Sequence, residues 1–157
     1  MSKVCIVTGA SRGLGRGIAN VLAEERSATV YATARSEAAL NDLASSIKGN
    51  TGVIHPVVLD QSDDSAVEKF ITTVAEKEGR IDLLVNSAYG GLTAMTPHFG
   101  KPFWERPISV FDASIDIGLR SAFVSSAIVA PHMVSQKSGI ILPVSYTHLT
   151  LPTICSV

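Results

Sequence analysis

The fold of this chain is decided by residues 8–15, which read Thr8-Gly-Ala-Ser-Arg-Gly-Leu-Gly15. The stretch ends the apolar run Lys3–Thr8 and precedes apolar residues at helical spacing, which predicts a strand, a glycine turn and a helix. The first glycine permits the tight turn, the second lets backbone approach a phosphate, and the third lets the helix pack closely on the strand. Free N–H groups at the helix start favour a pyrophosphate. The pattern therefore predicts a dinucleotide-binding βαβ unit.

The alternation of strands and helices continues along the chain. Three further strands are predicted, at Ala28–Ala34, Val53–Leu59 and Ile81–Val85. Ser36 is a typical helix N-cap, Ser62–Asp64 open a third helix with acidic residues suited to its first turn, and Gly79 is a typical stop. A helix over Val110–His132 and the start of a fifth strand at Gly139–Leu142 follow. The prediction is an α/β fold, a Rossmann-like doubly wound parallel sheet that is truncated after about strand five.

Residues Ser87–Pro107 interrupt this alternation and are predicted to form a loop. The segment contains three prolines and three glycines. Loops of this length in a compact domain are commonly functional. Phe103 and Trp104 are candidates for the apolar lining of a substrate entrance, and a structural staple over the sheet is an equally good interpretation.

The bulk composition describes one folded domain and excludes several function classes. Of 157 residues, 46% are hydrophobic and 17% charged, and the net charge is −1 with no basic patch, which argues against nucleic acid as a partner. Cys5 and Cys155 lie far apart, and the histidines match no ligand spacing, so no metal site is predicted. Cys5 is expected to be a buried thiol. No signal sequence or stretch long enough to span a bilayer is found, which predicts a cytoplasmic or membrane-peripheral location.

Thr8-Gly-x-x-x-Gly-x-Gly15, Asp60 after strand three and Asn86-Ser-Ala-Tyr89 after strand four together resemble the classical short-chain dehydrogenase/reductase family. The resemblance covers residues 3–142. Asn86–Gly91, Phe103–Pro107 and Gly118–Arg120 resemble one subfamily that reduces carbonyl-bearing steroids and xenobiotics. The resemblance implies an oxidoreductase of small carbonyl or alcohol substrates, and a homo-oligomer for the full-length form.

The resemblance also implies a set of cofactor-binding residues. The glycine turn would line the phosphates, Asp60 the adenine, and Asn86 and Ala88 the stretch beside the adenosine ribose. Tyr89 stands where the family usually has a glycine, and helix capping is an alternative role for Asp60. The predicted cofactor-binding residues are Thr8, Gly9, Ser11, Arg12, Gly13, Leu14, Gly15, Ala34, Arg35, Asp60, Asn86, Ala88 and Tyr89.

The choice of nicotinamide cofactor is predicted from the end of strand two. An acidic residue there would bind the ribose 2′-hydroxyl of NAD and repel the 2′-phosphate of NADP. The position holds Ala34, followed by Arg35, and Arg12 lies on the neighbouring glycine turn. Two guanidinium groups suit a phosphate, so NADP(H) is predicted over NAD(H). Surface arginines that only aid solubility are the alternative.

No catalytic residue is assigned, because the family's tyrosine and the lysine four residues after it are not found. Tyr31, Tyr89 and Tyr146 are followed at that spacing by Arg35, Thr93 and Thr150 respectively. A phenol needs a nearby cation to exchange protons near neutral pH. Gly118 stands at the family's helix-four asparagine position. The chain is expected to be catalytically incomplete, and a non-catalytic dinucleotide-binding module or a non-functional fragment are the other function classes.

The last residues depart abruptly from the expected continuation of strand five. Val144–Thr153 can be back-translated as GTC TCT TAT ACA CAT CTG ACG CTG CCG ACG, which resembles a transposon-end sequencing adaptor. The prediction is a dinucleotide-binding domain over residues 1–142 and a non-native tail over 143–157. A truncated splice product with a chance tail is the alternative.

Overall fold

The computed structural model describes residues 2–48 and 52–144, in which five parallel strands form one sheet. The strands are β1 (Val4–Thr8), β2 (Thr29–Ala34), β3 (Val53–Val58), β4 (Leu83–Asn86) and β5 (Ile140–Pro143). Their order is β3-β2-β1-β4-β5, and every neighbouring pair is parallel. This confirms the predicted Rossmann-like sheet. Beyond Val144 the predicted tail, with Tyr146 and Cys155, lies outside the described residues.

Helices cover both faces of the sheet, as a doubly wound fold requires. They are α1 (Gly13–Glu24), α2 (Glu37–Ser46), α3 (Asp64–Glu78), α4 (Gly91–Met95), α5 (Ile108–Ser114) and α6 (Ser121–Ser135). Ser36 Oγ accepts a hydrogen bond from the Ala39 N–H and caps α2, and Asp63 caps α3 in the same way. Gly79 ends α3 in the left-handed conformation, with φ +69°. The Ser36 cap and the Gly79 stop are the predicted ones, and α3 begins within the predicted Ser62–Asp64.

The core lies in two layers, because successive side chains of a strand point to opposite faces. Cys5 and Val7 of β1 pack with α1 and α2, whereas Val4 and Ile6 pack with α3 and α6. Every residue of β1 is buried. Burial raises the pKa of the Cys5 thiol to about 11, with a further contribution from the charge of Asp82. Cys5 is therefore the inert buried thiol that was predicted.

The segment Ser87–Pro107 is more structured than predicted. It contains the short helix α4 and two 3-10 turns, Thr96–His98 and Phe103–Glu105. Phe103 and Trp104 are 77% and 73% exposed and contact each other edge to face. They do not pack over the sheet, which contradicts the structural-staple interpretation.

The helix predicted over Val110–His132 is longer and is not uniform. A π-helical stretch at Ile115–Arg120 joins α5 to α6, so one continuous helix covers Ile108–Ser135. By length and composition alone this 28-residue helix could cross a membrane, so the prediction that no stretch is long enough is wrong. Its Val129 and Met133 side chains are buried in the core layer that includes α3. Only 17% of the helix's apolar 18-residue window is buried, although the core helix of a soluble protein can meet the same length criterion.

A buried carboxylate joins β1 to β4 where the two strands begin. Asp82 accepts hydrogen bonds from the Val4 N–H at 2.9 Å, from Lys3 Nζ at 2.9 Å and from Arg80. Burial alone would raise the pKa of Asp82, but the hydrogen bonds from Arg80, Val4 and Lys3 lower it to about 2. The carboxylate therefore stabilises the fold in its charged form.

We expect Asp82→Asn to lower the free energy of unfolding by up to about 2 kcal/mol at pH 7. Because the folded-state pKa is depressed, the contribution of Asp82 is complete above the unfolded pKa near 3.8 and is lost as pH falls towards 2. Urea denaturation at pH 7 and pH 3 measures both effects. The matched control is Asp42→Asn, since Asp42 pairs with Arg16 but is 74% exposed, and should cost less than about 1 kcal/mol. An equal loss for the two variants would contradict the role of Asp82.

Candidate functional site

The strand order creates a crevice at the carboxyl ends of β1 and β4. The chain runs outward from β1 through β2 to β3, then returns to β4 on the other side of β1. Ligands of open α/β sheets bind in the crevice at such a switch point. Two segments form it, Gly9–Arg12 after β1 and Ser87–Tyr89 after β4. Thr8 Oγ1 joins them, because it accepts the N–H groups of Ser87 at 3.0 Å and Ala88 at 3.1 Å.

The glycine turn has the geometry that its sequence predicts. Gly9 has a φ of +67°, and a Cβ placed on it would lie 2.7 Å from both Ala88 Cα and Ser87 O. A Cβ on Gly15 would lie 2.6 Å from Gly9 O. Gly13 has a φ of +56° and open space beside it. The first and third glycines are thus required by packing, and the second leaves the crevice open where α1 begins.

The start of α1 presents unshielded backbone to the crevice. Arg12 precedes the helix in extended conformation, and its side chain makes no capping hydrogen bond. Arg12, Gly13 and Leu14 are exposed, and Ser11 is half-buried. A helix whose first N–H groups lack a side-chain cap can offer them, with the positive dipole end, to an anion.

The adenosine side of the predicted site lies where β2 and β3 end. Ala34 is buried as the last residue of β2, and its carbonyl accepts the Leu59 N–H at 2.9 Å. Asp60 accepts the N–H and the hydroxyl of Ser62 through one oxygen, and these bonds lower the pKa of Asp60, with a further contribution from the Arg35 charge. The helix-capping alternative for Asp60 is wrong, since Asp63 caps α3.

Arg12 and Arg35 are two cations beside the crevice, and the charge of Arg35 acts on the nearby Asp60 carboxylate. Both guanidinium groups are exposed, and within residues 2–48 and 52–144 neither holds an ion pair. Arg16 and Arg120, by contrast, are paired with Asp42 and Asp64. Arg35 directly follows Ala34, where the acidic residue of an NAD site would stand, and Arg12 lies on the turn after the neighbouring strand β1.

Asn86, predicted beside the adenosine ribose, turns its side chain away from the crevice. Its Nδ2 donates to Ser126 Oγ at 3.0 Å and to the Ala122 carbonyl at 3.3 Å, both on α6. The side chain is buried and joins β4 to the long helix. Ser126 was not predicted as a functional residue, because it lies 40 residues from Asn86 in sequence and no motif marks it. Ala88 remains at the crevice through its contact with Gly9.

Tyr89 and Gly118, noted above as two separate departures from the family pattern, form one packing arrangement. A Cβ on Gly118 would lie 3.2 Å from the Tyr89 ring. The Tyr89 hydroxyl lies 3.1 Å from Ser114 Oγ, and a side chain on Gly91 would collide with both groups. The aromatic ring therefore occupies space that side chains at positions 91 and 118 would otherwise fill.

A contact between a phenol and a lysine occurs on the side of the sheet where the strands begin, away from the crevice. Its two residues, Tyr31 and Lys77, do not have the family spacing. Lys77 Nζ donates to the Tyr31 hydroxyl at 2.9 Å, and that hydroxyl donates to Glu78 Oε1 at 2.6 Å. Both partners lie at the end of α3, where the strands begin. Burial and the bond to Glu78 raise the pKa of Tyr31, the reverse of what a catalytic phenol needs. We assign no catalytic role to it.

A cavity of about 300 Å³ lies on that same edge, between the ends of α3 and α6. Arg80, His132 and Gln136 line it. Arg80 is bound to Asp82 and Gln136 to the backbone of Ile81, so these two polar side chains of the lining already have partners. The candidate site is therefore the open crevice built from backbone, and not this cavity.

A model of the short chain dehydrogenase family matches residues 3–154 of this chain. The chain belongs to the short-chain dehydrogenase family. Family membership explains why the glycine turn, Asp60 and the Asn86–Tyr89 segment meet at one edge of the sheet. Proteins of this family bind a nicotinamide dinucleotide, as the solved structures below illustrate.

Individual relatives refine the comparison. The chain is 42% identical over 144 residues to dehydrogenase/reductase SDR family member 1 of Mus musculus, covering 91% of this chain and 46% of the relative. This is the subfamily that Asn86–Gly91 and Gly118–Arg120 indicate. The chain thus spans about half the length of the curated relatives it matches.

Two solved structures show which cofactors the same fold holds elsewhere. A metagenomic short-chain oxidoreductase in complex with NADP superposes with a TM-score of 0.75 at 34% identity. The match covers 88% of this chain and 60% of the oxidoreductase chain. A 7α-hydroxysteroid dehydrogenase complexed with NADH and 7-oxo glycochenodeoxycholic acid gives 0.74 at 29% identity, covering 88% and 51%. Since these relatives hold different cofactors, the choice for this chain depends on its own residues.

Proposed function

We propose that this chain is the cofactor-binding part of an NADP(H)-dependent oxidoreductase acting on carbonyl and alcohol substrates. The observation that supports NADP(H) most is that two exposed guanidinium groups, Arg12 on the glycine turn and Arg35 next to the non-acidic Ala34, hold no ion pair among the described residues. The glycine turn would bind the pyrophosphate with backbone N–H groups. The arginines would bind the 2′-phosphate, and Asp60 would face the adenine.

Electrostatics favours this assignment over NAD(H). A 2′-phosphate brings negative charge to a position where neither cation holds an ion pair among the described residues, although the charge of Arg35 also acts on Asp60. Each charge-assisted hydrogen bond contributes about 1.5–3 kcal/mol. A ribose 2′-hydroxyl would find no carboxylate at Ala34. NAD(H) therefore lacks the contact that selects it in other dinucleotide-binding folds.

The substrate and the assembly are proposed from the relatives. Similarity to the mouse dehydrogenase/reductase and to a 7α-hydroxysteroid dehydrogenase supports a carbonyl substrate of steroid or xenobiotic type. A homo-oligomer for the full-length form and a cytoplasmic or membrane-peripheral location stay predictions. So do the domain boundary at residue 142 and the non-native tail.

We further propose that the 157-residue chain binds cofactor without turning over substrate. Within the described residues, Tyr31 and Tyr89 lack a lysine at the family spacing. Hydride transfer to a carbonyl needs a proton donor of suitable pKa. The chain on its own is then a non-catalytic dinucleotide-binding module.

Titration of the purified chain with NADPH and NADH, followed by ligand fluorescence, tests the assignment. We expect NADPH to bind at least about tenfold more tightly than NADH, the equivalent of about 1.4 kcal/mol. Tighter binding of NADH would refute it. Incubation with NADPH and an aromatic ketone should give no loss of absorbance at the nicotinamide band, and steady turnover would refute the non-catalytic proposal.

A further inference from the structure

Gln61 is a buried polar residue that neither the motif nor the family pattern assigns to the site. Its side chain is 7% exposed. Its Nε2 donates to Thr33 Oγ1 at 3.3 Å, and its Oε1 accepts from Ser125 Oγ at 3.2 Å. Thr33 and Ser125 are themselves almost fully buried. Burying three polar side chains costs free energy unless they are hydrogen-bonded to one another, as they are here.

The two contacts fix the turn after β3 from opposite sides. Thr33 lies near the end of β2, two residues before Arg35, and Ser125 lies on α6. The Gln61 amide therefore ties the turn to the sheet and to the long helix at once. Asp64, where α3 begins, is held to the same helix by a bidentate ion pair with Arg120. The turn over residues 60–63 is thus held at Gln61, its second residue, and at Asp64, the residue that follows it.

Asp60 is the residue that this anchoring orients. One carboxylate oxygen, Oδ1, accepts both hydrogen bonds from Ser62. The other, Oδ2, has no hydrogen-bond partner in the part of the chain that the structure describes. A charged acceptor that is held on one oxygen and free on the other is suited to receive an N–H group from a ligand. The exocyclic amine of adenine is such a group.

We propose that Gln61 is the positioning residue for adenine recognition at this site. It holds the free Asp60 oxygen in place through its bonds to Thr33 and Ser125. The inference rests on the proposed function, because it needs the cofactor to occupy the crevice. Gln61 itself does not touch the ligand, and its effect is transmitted through the turn.

Comparison of NADPH with its deamino analogue, which carries hypoxanthine in place of adenine, tests the inference on the full 157-residue chain. Hypoxanthine presents a carbonyl oxygen where adenine presents the amine, so a carboxylate acceptor disfavours it. The unmodified chain should prefer NADPH by about tenfold or more. In Gln61→Leu that preference should fall to about twofold or less, as it should in Asp60→Ala.

The chain offers a matched control for a merely structural role. Gln136 also bridges two elements, since its side chain bonds to the N–H and carbonyl of Ile81, but it lies on the opposite edge of the sheet. Gln136→Leu should lower the melting temperature and leave the adenine preference unchanged. Ser125→Ala removes one of the two Gln61 contacts in a helix position that tolerates alanine, and should reduce the preference in a folded protein.

The outcomes separate the two proposals. A preference lost in Asp60→Ala but retained in both Gln61→Leu and Ser125→Ala would overturn the role of Gln61 and leave the proposed function intact. The same holds if the unmodified chain binds NADPH without preferring it over the deamino analogue. Failure of the unmodified chain to bind NADPH at all would overturn both. Should Gln61→Leu not fold, Ser125→Ala decides.

Discussion

Replacing Gly9 with alanine should lower the free energy of unfolding by about 2–5 kcal/mol and abolish measurable NADPH binding. Two costs add. A residue with a Cβ pays about 1–2 kcal/mol to adopt the left-handed conformation that φ +67° requires. The new Cβ would also lie 2.7 Å from backbone atoms of Ser87 and Ala88, and overpacking costs typically about 1–3 kcal/mol. Those atoms belong to the other wall of the crevice, so relief of the collision must open the site.

Two glycines of the same region are matched controls for Gly9→Ala in urea denaturation. Gly13→Ala should cost only the conformational term of about 1–2 kcal/mol, since Gly13 has a φ of +56° but no neighbour within 4 Å. Gly17→Ala, inside α1 and also without neighbours, should stabilise the chain by about 0.5–1 kcal/mol. If Gly9→Ala were as stable as Gly13→Ala, the close approach of the two walls would be wrong.

The double variant Arg12→Ala/Arg35→Ala should weaken NADPH binding about a hundredfold or more and change NADH binding by less than about threefold. Loss of two charge-assisted contacts of about 1.5–3 kcal/mol each sets the scale for NADPH. NADH lacks the 2′-phosphate and so loses little. Isothermal titration with both cofactors measures the ratio. Raising the salt concentration should weaken NADPH binding to the unmodified chain more than NADH binding, because exposed charges are screened.

Arg26→Ala is the control for this double variant. Arg26 is exposed and follows α1, on the edge of the sheet away from the crevice. Its removal changes the net charge by one unit and should leave the NADPH to NADH ratio unchanged. Equal losses of affinity for NADPH and NADH in the double variant would mean that the arginines do not bind the 2′-phosphate, and the NADP(H) proposal would fail.

The parts of the fold that could be predicted are those with local chemistry. The glycine turn, the cap at Ser36, the start of α3 within Ser62–Asp64 and the stop at Gly79 each need only a few neighbouring residues, and all formed as predicted. Residues from 87 to 107 show the limit of this approach. Their prolines and glycines indicated a loop, yet short helical turns bring α4 against α5.

Contacts between residues distant in sequence could not be predicted. Asn86 was predicted to lie in the stretch beside the adenosine ribose, but the partners of its side chain are on α6, and no pattern near Asn86 indicates them. Tyr89 and Gly118 were each identifiable as departures from the family pattern, and only their contact shows that they compensate each other. The π-helical stretch likewise has no sequence period of its own that would separate it from α-helix.

The bond from Thr8 to the backbone of Ser87 has a consequence for the order of folding during synthesis. It joins residues 79 positions apart in sequence. The ribosome therefore synthesises the glycine turn well before Ser87, which forms the other wall of the crevice. Contacts of such separation form only after the intervening loop closes, which slows them. We therefore expect a nascent chain shorter than about 90 residues to have no cofactor affinity. Cofactor binding would then begin when β4 pairs with β1, and it would stabilise the chains in which that pairing has formed.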